Sequence, residues 1–230
     1  MFETNLIPLY MYLGHPMPRP ERLYDYVIAE QGIIKRVETP FASADALLIP
    51  ITERLTGLHL QAYPLQPLRL KVPRIPGRLL LDVLVDARRQ IDLEFMYHFR
   101  FSPEQGWTVT RPEQAQSWAR VGYRHDPTGV VLDLHSHHTM PAFFSATDDG
   151  DEKGGRFYAV MGHIDQPQPQ LILRLGLYGH WLLNVPGLAL FDDLGPFVET
   201  YVDEAAAIGL AEPENGFFSK LLPWRSRCHC

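Results

Sequence analysis

Val130-Val131-Leu132-Asp133-Leu134-His135-Ser136-His137 is an apolar, β-branched run that ends in two histidines. Its composition predicts a strand over residues 130–134. Successive strand side chains point to opposite faces, so His135 and His137 project together and Ser136 points the other way. After seven more residues comes Ser145-Ala146-Thr147-Asp148. On a helical turn, positions i and i+3 are neighbours, so Ser145 and Asp148 share a face. A strand end that supplies two imidazoles and a helix start that supplies a carboxylate can close around one ion. Three protein ligands leave a fourth tetrahedral position open, the mark of a catalytic zinc rather than a structural one. The Ser-x-x-Asp spacing is equally a helix-capping pattern, with Ser145 as the cap and Asp148 bonding back.

Upstream, residues 91–101 alternate. Ile91, Leu93, Phe95, Tyr97, Phe99 and Phe101 fall on one face, and Asp92, Glu94, Met96, His98 and Arg100 on the other. This period of two predicts a strand with one face in the core. Residues 78–90 before it predict an amphipathic helix. Leu80, Val83, Leu84 and Ala87 form its apolar stripe, and Arg78, Asp82 and Asp86 its wet one.

The pattern H-S-H-x7-S-x-x-D resembles the signature of the JAB/MPN metalloprotease family, also called JAMM. The resemblance covers residues 77–185. It implies an α/β (α+β) fold: a cytidine-deaminase-like mixed sheet flanked by helices. It implies one zinc ion per chain, held by His135, His137 and Asp148, with Ser145 steadying the tetrahedral intermediate. It also implies an upstream glutamate that handles the protons of the attacking water. The family places that glutamate just after a helix, on the next strand. Glu94 fits that order, and Asp92 is the nearest competitor. Family members cleave peptide or isopeptide bonds after ubiquitin or ubiquitin-like proteins, and some bacterial relatives process small sulfur-carrier proteins. Three departures bear on the substrate groove. His138 stands where proline often follows the second histidine. Asp133-Leu134 stands where a glycine-aromatic pair is usual, and Glu94-Phe95-Met96-Tyr97 lacks a glycine-rich continuation. The layout, with its extra N-terminal region, is similar to the protein A family of the plasmid-borne PRTRC gene set. That set also encodes a ThiF-like (E1-like) activating protein, which the resemblance implies as a partner.

Around the motif, Asp133 lies on the face of His135 and can orient its imidazole, while His138 reads as a polar loop residue. The acidic run Asp148-Asp149-Gly150-Asp151-Glu152 reads as one metal ligand plus a solvated loop, because its spacing is not that of an EF-hand. The chain contains no H-E-x-x-H, no G-x-S-x-G, no Walker A loop and no G-x-G-x-x-G. No Cys-x-x-Cys follows a His-x-Glu, which excludes a zinc nucleobase deaminase.

Composition sets further bounds. The 230 residues are 46% hydrophobic, enough for a core, with a formal net charge of -6. No Lys/Arg run supports nucleic-acid binding. The early apolar stretch, residues 6–14, is too short to span a bilayer. The start, Met1-Phe2-Glu3-Thr4, lacks a basic secretory n-region, so the expected location is the cytoplasm. The two cysteines, Cys228 and Cys230, offer no disulfide framework. With His229 they read as a tail rather than a metal site.

Three regions are expected. Residues 1–76 read as mainly β, with a hairpin whose arms, 26–29 and 33–37, flank Glu30-Gln31-Gly32. Pro64, Pro67, Pro73 and Pro76 then mark a connector. Residues 77–190 hold the metallopeptidase region, with later strands at 157–164 and 171–178. Residues 191–230 hold a helix at 197–210 and a tail. The leading functional expectation is a zinc metallopeptidase acting next to a ubiquitin-like or sulfur-carrier-like protein. The alternatives are a zinc hydrolase of a small peptidic substrate and a non-catalytic interaction module.

Overall fold

A computed structural model of the chain describes residues 7–53, 55–112, 114–116, 121–123 and 129–202. Its first sheet runs β1 (Leu9–Met11), β2 (Tyr24–Ala29), β3 (Gly32–Glu38), β4 (Ala42–Pro50) and β5 (Arg69–Leu70), paired in that order. The β2–β3 hairpin forms as its sequence predicts, with Ala29 opposite Gly32. Gly32 sits at φ +147°, where a Cβ would stand 2.1 Å from the Ile49 carbonyl oxygen, so only glycine fits. Part of the proline-marked connector is recruited as β5, which pairs with Ala42 and Ser43.

Helix α1 (Gly77–Arg88) follows. Its stripe of Leu80, Val83, Leu84 and Ala87 is buried, as the spacing predicts. Burying each large aliphatic side chain contributes roughly 1.5–3 kcal/mol. The stripe joins Phe95, Tyr97, Phe99, Leu132 and Leu134 in one core cluster. Val37, Ala42, Ala44 and Ala46 of the first sheet belong to the same cluster, so the two sheets share a core.

The second sheet is built from β6 (Met96–Ser102), β7 (Gly106–Thr110), β10 (Val130–Ser136), β11 (Phe157–Gly162), β12 (Gln170–Gly176), β13 (Trp181–Leu182) and β14 (Val198–Glu199); β8 (Gln114–Gln116) and β9 (Val121–Tyr123) form a separate hairpin. Strand order is β13-β12-β11-β10-β6-β7, with β14 beside β12. The helices α2 (Ala146–Asp151) and α3 (Gly187–Leu190) complete the elements. This mixed sheet with few helices, behind a β-rich N-terminal region, matches the expected α+β class.

Strand β10 is central and buried along its whole length, as expected of a strand covered on both faces. It pairs antiparallel with β6 and parallel with β11. A parallel pair cannot be closed by a tight turn and needs a long crossover. That crossover, residues 137–156, contains α2 and opens at the carboxyl end of β10.

Three expectations need correction. The strand predicted over residues 91–101 begins only at Met96, and residues 91–93 form a turn after α1. Its second face is not wet, because the crossover covers it: His98 is 1% exposed and Glu94 7%. The helix predicted over residues 197–210 does not begin as one. Val198–Glu199 is a strand, paired with Gln170 and Leu171. Residues 203–210 and the Cys228-His229-Cys230 tail lie outside the described residues. Among the described residues no helix is long and apolar enough to cross a membrane.

Candidate metal centre

His135 and His137 leave the end of β10 on the same side, as strand alternation predicts. Their Nε2 atoms stand 3.1 Å apart, and His135 Nε2 is 3.7 Å from Asp148 Oδ1. All three ligand atoms lie within 4.8 Å of one another. Donor atoms bonded at ~2.0–2.1 Å to one tetrahedral zinc stand ~3.3 Å apart, so the donor set fits such an ion. The protonation states fit as well. Burial pushes both imidazoles below the usual histidine range, against the opposing pull of Asp148. They are therefore neutral, the form that binds metal. His137 Nδ1 lies 3.3 Å from the Pro141 carbonyl oxygen. A proton on Nδ1 leaves the lone pair on Nε2, toward the other two groups.

Asp148 is aimed by a capping box. Its Oδ2 accepts the backbone N–H of Ser145 at 2.6 Å and the Ser145 hydroxyl at 2.7 Å, while Ser145 Oγ accepts from Asp148 N at 3.3 Å. With Oδ2 occupied, Oδ1 faces His135. The capping and ligand readings of Ser-x-x-Asp are thus compatible: the cap turns the carboxylate.

Glu94 lies in the segment between α1 and β6, with Oε1 3.9 Å from His138 Nε2. Burial pushes its carboxyl up to about 7; His138 opposes the shift and Asp148 adds to it. Asp92, the competing carboxylate, is exposed in the turn. Asp133 does face the site's side of β10, but its contacts run to His98 at 3.5 Å and Arg156 at 3.3 Å.

Residues 78–174 match the family model described as prokaryotic homologs of the JAB domain. Over this stretch the chain is similar to the JAB/MPN family. No match to a curated protein accompanies it.

Two groups within residues 78–174 were not singled out from the sequence. Ser136, between the two histidines, is fully buried, and its Oγ accepts the Phe95 N–H at 3.1 Å. Arg174 on β12 is 2% exposed and reaches Asp149 at 2.5 Å and Glu152 at 2.9 and 2.7 Å. The acidic run is therefore no solvated loop. It forms α2, and Glu152 behind it is buried. Ser136 carried a signal, since a strand residue between two ligands must face the core. Arg174 carried none, because its partners lie 22 and 25 residues away.

Proposed function

We propose that this JAB/MPN domain is a zinc-dependent metallopeptidase of JAMM type, hydrolysing a peptide or isopeptide bond next to a ubiquitin-like or sulfur-carrier-like protein. The observation that carries the reading is the convergence of His135, His137 and Asp148, with Glu94 buried close by. His135, His137 and Asp148 would hold one zinc ion per chain. When bound, zinc supplies Lewis-acid chemistry, lowering the pKa of water to about 7 and polarising a carbonyl oxygen.

The chain's own residues divide the remaining work. Glu94, with a carboxyl near 7, takes a proton from the attacking water and returns it to the leaving nitrogen. Ser145 orients Asp148 and, once its hydroxyl turns from Oδ2, donates to the developing oxyanion. A donor in that role is worth about 3 kcal/mol. Phe143, 44% exposed and packed edge-on against His137 with ring centres 4.5 Å apart, offers the substrate an apolar wall. In a PRTRC-like setting, the ThiF-like (E1-like) protein of the same gene set would be a partner.

Elemental analysis of wild type and His137→Ala is the test. About one zinc per wild-type chain, lost in the variant, supports the reading. Cleavage of ubiquitin-like conjugates, with Glu94→Gln as the dead control, completes it. Zinc bound without cleavage of any conjugate or peptide would favour the interaction module. No zinc in either protein, after zinc is supplied, would remove the hydrolase reading.

A further inference from the structure

The third metal-binding side chain is carried by an element that nothing apolar holds in place. Helix α2 has six residues, and none of them is buried. A helix this short has no independent stability in water, and the hydrophobic packing that fixes α1 is missing. Asp148 nevertheless stands within a few ångströms of two rigid imidazoles, so another interaction must dock α2.

Arg174 is placed to do this. Its guanidinium enters from β12, two strands from the histidines, and bonds to residues on either side of the helix end. Nη1 donates to Asp149 Oδ1 at 2.5 Å, and Nε and Nη2 donate to Glu152 Oε2 at 2.9 and 2.7 Å. Both partners are tied by backbone bonds to the capping box. Asp149 N donates to Ser145 O at 3.0 Å, and Glu152 N to Asp148 O at 2.8 Å. The planar cation lies over two aromatic rings, 3.9 Å from the Phe144 centroid and 4.5 Å from that of Trp181. Trp181 Nε1 also donates to Glu152 O at 3.0 Å. An Arg fork held in this way fixes direction as well as distance.

We propose that Arg174 is a positioning residue for the metal centre: its clamp on Asp149 and Glu152 docks α2 and delivers Asp148 to the two histidines. This rests on the metal reading above. The clamp does not touch the ion. It acts through α2, so its loss should loosen one ligand of three and leave His135 and His137 in place.

The test is a zinc competition titration of the full chain against a chromophoric chelator, with visible spectra of the Co2+-loaded protein and melting of the metal-free protein. The variants are Asp149→Asn, Asp151→Asn and Arg174→Lys. Asp149 is one-third exposed, so its variant is expected to fold. Asp151 is exposed and carries the same charge on the same helix without touching Arg174. The expected result is a loss of zinc affinity of roughly 10–100-fold in Asp149→Asn and Arg174→Lys, with a changed Co2+ spectrum. Asp151→Asn should stay close to wild type, and the metal-free melting point of Asp149→Asn should hardly move. Equal losses in Asp149→Asn and Asp151→Asn would mean charge alone and overturn the clamp. So would wild-type affinity and spectrum in Asp149→Asn. If Arg174→Lys fails to fold, Asp149→Asn decides the matter. A wild type that binds no zinc fails at the earlier step and removes both readings.

Discussion

The Ser136 hydroxyl accepts the backbone N–H of Phe95 at 3.1 Å, and Ser136 N donates to the Phe95 carbonyl at 3.0 Å. The residue between the two histidines therefore pins the residue beside Glu94. Strand β10 aims its imidazoles one way and, from its other face, fixes the segment that carries the carboxylate. Ser136→Ala keeps His135, His137 and Asp148 but strands a buried N–H, at a stability cost of about 1–3 kcal/mol. On the proposed hydrolase reading, zinc content should stay at the wild-type level while turnover falls roughly 10–100-fold, because Glu94 is no longer held in register. Zinc analysis beside turnover on the same samples checks this. Full activity in Ser136→Ala would show that Glu94 is positioned by something else.

Glu94 should make the metal-free protein less stable than it needs to be. Its carboxyl titrates near 7 in the fold, against an ordinary value of 4.5. The folded chain thus binds more protons than the unfolded chain between those values, and stability falls as pH rises from 4.5 through 7. Above that window the cost is constant. Glu94→Gln removes it, so chelator-treated Glu94→Gln should melt higher than wild type at pH 8 and lose that advantage at pH 4. Hydrolysis by the same variant should drop by roughly 10²–10⁴-fold. Identical melting at both pH values would contradict the burial of an ionised group.

Gly162, the last residue of β11, lies under the start of the crossover. A Cβ there would stand 2.1 Å from Ala142 N and 2.3 Å from the Pro141 carbonyl carbon. Both are backbone atoms and cannot rotate aside. Gly162→Ala should cost about 1–3 kcal/mol by overpacking. It also displaces the Pro141 carbonyl that faces His137 Nδ1, so zinc affinity should fall by roughly tenfold or more. Denaturant unfolding and a chelator titration measure the two effects separately.

Lys35 ties the first sheet to the turn between β12 and β13. Its Nζ donates to the Tyr178 carbonyl at 2.8 Å and sits 4.0 Å from the Tyr24 ring centroid. Burial pushes its ammonium down to about 8 from 10.5. The unfolded chain then binds the extra proton between pH 8 and 10.5, so stability rises with pH across that window and is flat below it. Lys35→Met lacks the titration. Relative to that variant, wild type should gain stability from pH 7.5 to 10 in urea unfolding. No relative gain would mean that the amine is solvated in the folded protein.

The parts of the fold legible in the sequence were those that depend on local period. The α1 stripe, the β2–β3 hairpin and the apolar run of β10 follow from spacing alone, and so does the shared direction of His135 and His137. Residues 91–95 misled because their alternation continues that of β6. The backbone there turns instead, and the face that carries Glu94 and His98 is buried by a crossover that enters about 40 residues later. A period-2 pattern reports which side chains share a face, not what covers it. The strand at Val198–Glu199 was invisible for a similar reason: two residues pair with Gln170 and Leu171 through backbone bonds that leave little side-chain signature. The acidic run looked solvated because its counter-charge, Arg174, arrives from a separate strand.

The parallel pairing of β10 and β11 has a consequence in time. His135 and His137 are fixed as soon as the sheet forms, whereas Asp148 arrives on a short helix held by charge and caps. A metal ion can then be captured at two points and closed in by the third. On the proposed metal reading, its escape would wait on α2 leaving Arg174, a local opening far smaller than unfolding of the sheet. Residence of the ion should therefore shorten with rising salt, which weakens the partly exposed Asp149 contact, while the melting of the sheet stays where it was.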